Sequence, residues 1–242
     1  MTDLRPEFHH DIDGVRAAIA HLGGAVVELI PRVTGILLQQ DLAGAEQVLA
    51  DDDEFDVLTM EVEDRALKLL ALQAPVAGDL RQLAAALKLA PEIERSADLC
   101  CNICKAARRI YPKRLDPRLQ VTIQKLSDQA QIEYRQAIDA FVAVDDAQAA
   151  AVSDMDDHLD DLHRAFIQQI FETHAGEAIE LQVAVQMAMV ARFYERLGDH
   201  AVNIAHRVRY ISSGWLPGQN GTSRHHVQHV EPVAPGDEAE GG

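Results

Sequence analysis

At 242 residues the chain is long enough for one or two domains with a sizeable buried core, and a hydrophobic content of 48% excludes wholesale disorder. Lys and Arg total 22 against 39 Asp and Glu, a formal net charge of −17, which argues against nucleic acid as a partner, because a general nucleic-acid binder needs a concentrated basic face for phosphates. Aromatics are only 5%, with Ala, Leu, Asp and Gln plentiful, a composition that suits helices better than sheets.

In chain order, apolar residues at Ile12, Val15, Ile19, Leu22, Val26, Leu29, Val33, Ile36 and Leu37 predict a first helix from about Pro6 to Gln39, bent at Pro31. Asp41 reads as the N-cap of a second helix reaching Gln73, where Ala74-Pro75 ends it. A third helix runs from about Val76 to Ile110, with Pro91 as an internal kink. Beyond the prolines of the connector come helices at about Pro117 to Val144, Asp145 to Thr173 and Ala175 to Ile211. Residues 214–242, rich in Gly, Pro and charge, read as a flexible tail. No segment alternates like a strand. No apolar run reads as long enough to span a bilayer, and Met1 to His10 carry no signal-peptide core, so a cytoplasmic chain without membrane insertion is expected. Cys100, Cys101 and Cys104 are an odd number in one segment and not a disulfide framework.

The halves repeat. Asp41 to Leu58 aligns with Asp145 to Leu162 at an offset of 104, with eight of 18 positions identical; Glu94 to Ile103 aligns with Glu195 to Ile204 at an offset of 101, with five of ten identical. The predicted fold is therefore all-α, a tandem repeat of two three-helix bundles (residues 1–112 and 113–213) made from six long helices and followed by the tail 214–242.

The repeated identities are mostly polar. Each half carries Asp-x-x-x-Asp on its second helix (Asp52/Asp56, Asp156/Asp160) and Glu-x-x-x-Asp on its third (Glu94/Asp98, Glu195/Asp199). A four-residue step sets both carboxylates on one helix face, about 6 Å apart along the axis, so two neighbouring helices can converge four of them. All-oxygen sets of this kind suit Mg²⁺, Ca²⁺, Mn²⁺ or oxidised iron. Asn102 and Asn203 lie one turn farther on, as supplementary ligands or as hydrogen-bond partners of a neighbouring helix. The competing reading makes the acidic runs solvated faces near helix starts, where the dipole favours them; recurrence of both pairs at matched places favours metal. Arg95 and Arg196 point about 100° away from the neighbouring Glu, in a supporting or partner-binding position.

Other candidates are weaker. Cys101-Asn-Ile-Cys104 lies in mid-helix, and its repeat partners are apolar, so the cysteines read as core packing. His200 has Leu99 as its counterpart, His206 lies nearby, and His225, His226 and His229 fall in the tail. Lys105, Arg108, Arg109, Lys113 and Arg114 form a basic cluster, as helix-end charge or as a docking patch. No phosphate-cradling loop, nucleophile elbow, H-E-x-x-H or nucleophile–base pair is present.

Three segments, Ala74-Pro-Val-Ala-Gly-Asp-Leu-Arg81, Glu94-Arg-Ser-Ala-Asp-Leu-Cys-Cys-Asn-Ile103 and Glu195-Arg-Leu-Gly-Asp-His-Ala-Val-Asn-Ile204, resemble the PhoU family, and the duplicated architecture extends the resemblance over about residues 6–212. The first copy of the motif departs from the family pattern at Ala97, where Gly is usual, and the second half lacks a counterpart of Pro75 to Arg81. The resemblance implies a cytoplasmic, non-enzymatic negative regulator of phosphate uptake and of the phosphate-starvation response. It implies an adaptor between the phosphate ABC transporter and a sensor histidine kinase, often a homodimer. It also implies metal clusters, of iron, manganese, magnesium or zinc, held by Asp52/Asp56 with Glu94/Asp98 and by Asp156/Asp160 with Glu195/Asp199. Two alternatives remain open at this point: a multinuclear metal-dependent hydrolase of phosphate compounds, and a metal-free structural adaptor.

Overall fold

A computed structural model describes residues 4–214, so the tail expected over residues 214–242 lies outside the described part except for Gly214. The described chain is helical, in the order α1 (Leu4–Gln39), α2 (Leu42–Ala50), α3 (Asp52–Gln73), α4 (Ala77–Ile110), α5 (Pro117–Ala143), α6 (Asp146–Ala175) and α7 (Leu181–Ser213). α1, α3 and α4 pack together, as do α5, α6 and α7; α1 also lies on α5, and α4 on α7, so the two bundles share one core.

The repeat is visible in the backbone. Gln40 and Val144, 104 residues apart, both adopt the left-handed conformation that ends the preceding helix (φ 57° and 53°). The next residue in each half caps the following one: the Asp41 carboxylate accepts from the Gly44 amide (2.9 Å), and that of Asp145 from the Ala147 and Gln148 amides (2.9 and 3.0 Å).

Among the described residues seven helices form where six were expected, because the second divides at Asp51 while its counterpart α6 is continuous. Asp51 to Glu54 are four consecutive carboxylates, poor helix-interior residues that repel one another. Restarting the helix at Asp52 moves Asp52, Asp53 and Glu54 into a first turn, where the dipole favours them. The last helix begins at Leu181, later than expected, after a turn with Glu177 at φ 58°.

Every apolar position of the first predicted stripe, from Ile12 to Leu37, is buried. Contrary to the sequence expectation, α1 is long and apolar enough to pass as a membrane span by length and composition, with a mean hydropathy of 1.3 over its most apolar stretch. Here that apolarity serves the core, because α1 packs on α3 and α4 of its own bundle and on α5 of the other.

α1 also runs unbroken through Pro31. Proline supplies no N–H to the Val27 carbonyl four residues earlier. Gln131 of α5 fills the gap, donating from Nε2 to that carbonyl at 3.0 Å. Nearby, Thr34 Oγ1 lies 2.8 Å from the Ile30 carbonyl, 2.7 Å from Ser127 Oγ and 2.6 Å from the Tyr194 hydroxyl, a buried polar knot joining α1, α5 and α7. Gln131→Ala is expected to cost about 1–2 kcal/mol, because Val27 is buried and its carbonyl loses a partner that water does not replace. Urea unfolding checks this, and an unchanged midpoint would show that the carbonyl is satisfied otherwise.

Candidate metal centre

In the first half, the short turn between α3 and α4 makes them antiparallel neighbours. Glu94 is held above the ordinary carboxylate range, first by burial and then by the negative charges of Asp98 and Asp56. Asp52, the first residue of α3, faces a later turn of α4, where its Oδ1 accepts from Cys101 Sγ at 3.2 Å. The structure thus groups Asp56, Glu94 and Asp98 and sets Asp52 at their edge. Asp56 and Asp98 are exposed, so this group faces water.

The second half is built differently. Asp156 is pushed up to about 6 by burial and by Asp160 and Asp199. Glu195 is pushed up to about 7 by burial and by Asp199, against the opposing pull of Arg192. Asp199 is raised by burial, with Asp160 adding to the effect and Arg192 working against it. Glu195 therefore feels the charge of all three other expected carboxylates, Asp199, Asp160 and Asp156. The basic partner of Glu195 is Arg192, an ion pair one turn upstream, and not Arg196.

A fifth carboxylate, unnoticed in the sequence, joins them. Glu133 of α5 is fully buried and pushed up to about 9 by burial, then by Asp156, Asp160 and Asp199. The signal was present: Ile123, Leu126, Ala130, Ala137 and Phe141 form the buried stripe of α5, and Glu133 occupies a core position within it. The three helices meet at Gly198, where a Cβ would stand 2.6 Å from Leu159 Cδ2, 2.7 Å from Asp156 Oδ1 and 3.3 Å from Glu133 Oε2. Glycine here lets α7 approach the two carboxyls closely.

Whether these residues fit a cation is decided by their oxygens. Both Oε atoms of Glu133 and Oε2 of Glu195 are buried without a hydrogen-bond partner among the described residues. Buried acceptors with no donor are costly, and a carboxylate cluster offers none unless protonated. A hard cation satisfies such a set, so the second-half residues fit one. Among the described residues, no three His, Cys, Asp or Glu side chains already form a metal-binding group, so binding requires the carboxylates to turn inward.

The remaining candidates fall outside the clusters. Asn203 Nδ2 donates to Glu92 Oε1 at 2.7 Å across the α4–α7 seam, the hydrogen bond to a neighbouring helix that was one of its two expected roles. Asn102 is half-buried. Arg95 pairs with Glu92 at 3.2 Å. His200 is buried with Nδ1 2.9 Å from Ser96 Oγ, and burial lowers its proton affinity, so it is a neutral core imidazole. Cys100, Cys101 and Cys104 are buried free thiols, and burial raises all three, Cys104 to about 11. Of the basic cluster, Arg108 and Arg109 occupy the last turn of α4, and Lys113 pairs with Glu180.

The PhoU domain matches twice, over residues 19–107 and 123–208. The phosphate-specific transport system accessory protein PhoU homolog 2 of Mycobacterium tuberculosis is 32% identical over 215 residues, covering 88% of this chain and all of that protein. PhoU homolog 1 of the same organism is 31% identical over 220 residues, covering 90% of this chain and 98% of the relative. The crystal structure of PhoU from Pseudomonas aeruginosa superposes with a TM-score of 0.81 at 25% identity, over 86% of this chain and the whole of that one. PhoU from Streptococcus pneumoniae shares the fold, with a TM-score of 0.80 at 20% identity over 86% of this chain and 98% of that one. With each carboxylate group inside one of the two matched segments, the chain belongs to the PhoU family.

Proposed function

We propose that this protein is an accessory regulator of phosphate transport: a cytoplasmic adaptor that restrains the phosphate ABC transporter and quiets a sensor histidine kinase when phosphate is sufficient, as a homodimer with two carboxylate metal centres. The observation that carries the reading is the double PhoU match together with full-length alignment to a relative named as an accessory protein of phosphate-specific transport. An adaptor needs surfaces and a shape that can be stabilised, not a nucleophile, and the buried thiols with raised proton affinity agree with that.

In the first half, Asp56, Glu94 and Asp98 would hold a cation, with Asp52 at the edge; in the second, Asp156, Asp160, Glu195 and Asp199. A bound cation supplies positive charge that ties neighbouring helices together, α3 to α4 and α6 to α7. The carboxylates do the rest: they set the helix spacing and replace water around the charge. Oxygen-only ligands favour manganese, magnesium or oxidised iron over zinc.

Deleting the gene is expected to switch on a phosphate-starvation reporter in phosphate-rich medium; a silent reporter would count against the regulatory reading. Asp98→Ala is expected to lower bound metal in the first half alone, and Asp199→Ala in the second alone, as read by elemental analysis. Unchanged metal in both variants, with a raised melting temperature that fades with salt, is the outcome for two merely acidic faces.

A further inference from the structure

We propose that Glu133 is an inner ligand of the second-half centre, a buried fifth carboxylate for which the first half has no equivalent, and that it makes the two centres unequal, the second holding its cation more tightly. The inference rests on the metal reading above and adds to it a residue, a helix and an order of affinity.

The placement carries the argument. Glu133 is 0% exposed, and its oxygens meet no donor, only the Asp156 carboxylate, to which Glu133 donates when protonated. Oε2 and Asp156 Oδ1 both crowd the place a Cβ on Gly198 would take, one residue before Asp199, so the carboxyl points between α6 and α7 and not out to water. A glutamate buried for packing alone is a poor choice, since an apolar residue of similar volume avoids the desolvation cost. The first half makes that choice: at the offset of 104 that relates Asp41 to Asp145 and Gln40 to Val144, Glu133 corresponds to Leu29, which is buried.

The chemistry follows from that difference. Cation affinity in oxygen sites grows with the number of charged ligands and with site rigidity. The second centre has five carboxylates from three helices, one of them sealed from solvent where the effective dielectric is low. The first has four from two helices, with Asp56 and Asp98 in water and Asp52 engaged by Cys101. Glu133 also binds α5 to the centre, so occupancy of the second site fixes all three helices of its bundle, whereas the first ties only α3 to α4.

The test uses the full chain, stripped with chelator and titrated with Mn²⁺ and, anaerobically, with Fe²⁺. Wild type is expected to show two classes of site differing at least tenfold in affinity. Glu133→Gln, which keeps shape and removes the charge, is expected to weaken the tighter class at least tenfold and leave the weaker one alone. Glu133→Leu, which copies the first half, should do the same while melting no lower than wild type in chelator, showing that the fold survives. Asp98→Ala should remove only the weaker class. If Glu133→Gln binds both ions like wild type while Asp199→Ala abolishes the tighter class, the metal reading stands and Glu133 is not a ligand. If the tighter class belongs to the first half, the order of affinity is wrong. If wild type binds neither ion, the metal reading and this inference fall together.

Discussion

In the presence of chelator, the protein is expected to lose stability steadily as the pH rises from about 5 to about 9. The carboxyls responsible are Glu133, raised to about 9, Glu195, raised to about 7, and Asp156, raised to about 6. Unfolded, such groups titrate near pH 4. Between the two values the folded chain holds more protons than the unfolded chain, so stability falls with pH. It is fully present below the unfolded value and lost as pH climbs through the folded one. Glu133 alone accounts for a loss on the order of 5 kcal/mol across that window, at about 1.4 kcal/mol per unit. His200 and His206 act in the opposite sense: burial lowers both, so their stabilising neutral forms are lost as pH falls below about 6.5. The result is a maximum in mild acid. Melting temperature against pH checks this, with Glu133→Gln flattening the alkaline limb. Added Mn²⁺ should lift the same limb, because binding requires the carboxyls to ionise. A flat wild-type profile from pH 5 to 9 in chelator would exclude a proton held on Glu133.

The second large effect is expected at Gly198. A Cβ there meets Leu159 and Asp156 at 2.6 and 2.7 Å, and Leu159 is itself fully buried with little room to yield. Gly198→Val should cost about 3 kcal/mol, the upper part of the usual range for overpacking, and should weaken metal binding in the second half. Gly198→Ala should cost less, since the helix-propensity gain of about 1 kcal/mol offsets part of the clash. Ala97, its counterpart in the first half, provides the control: Ala97→Gly removes a methyl from a helix and should cost about 1 kcal/mol without touching metal binding in the second half. Urea unfolding with and without Mn²⁺ separates the terms. A Gly198→Val chain as stable as wild type would mean that Leu159 and Asp156 turn aside freely and that the close approach constrains nothing.

The failures of the sequence reading have local causes. Spacing marks the stripe of α1 but does not say whether an apolar helix meets lipid or other helices; its packing on α4 and α5 does. Asp51 to Glu54 fall inside the single helix expected from the Asp41 cap to Gln73, yet four adjacent carboxylates break it. Gln131 satisfies a carbonyl freed by Pro31, a hundred residues earlier, and nothing in either segment announces the pair.

By itself the sequence determined what depends on neighbours three and four residues apart: the helical class, the capping aspartates, the apolar stripes and the carboxylate pairs that share a face. Comparing the halves added the repeat. Only the tertiary structure decided which faces meet. The helices converge through packing between residues distant in the chain, and that packing brings Glu133 from α5 to carboxylates on α6 and α7, while Leu29 occupies the corresponding place in the first half. Matching motifs therefore end in unequal sites, one open to water and one partly sealed, because burial and the distance between charges are properties of the packed bundle.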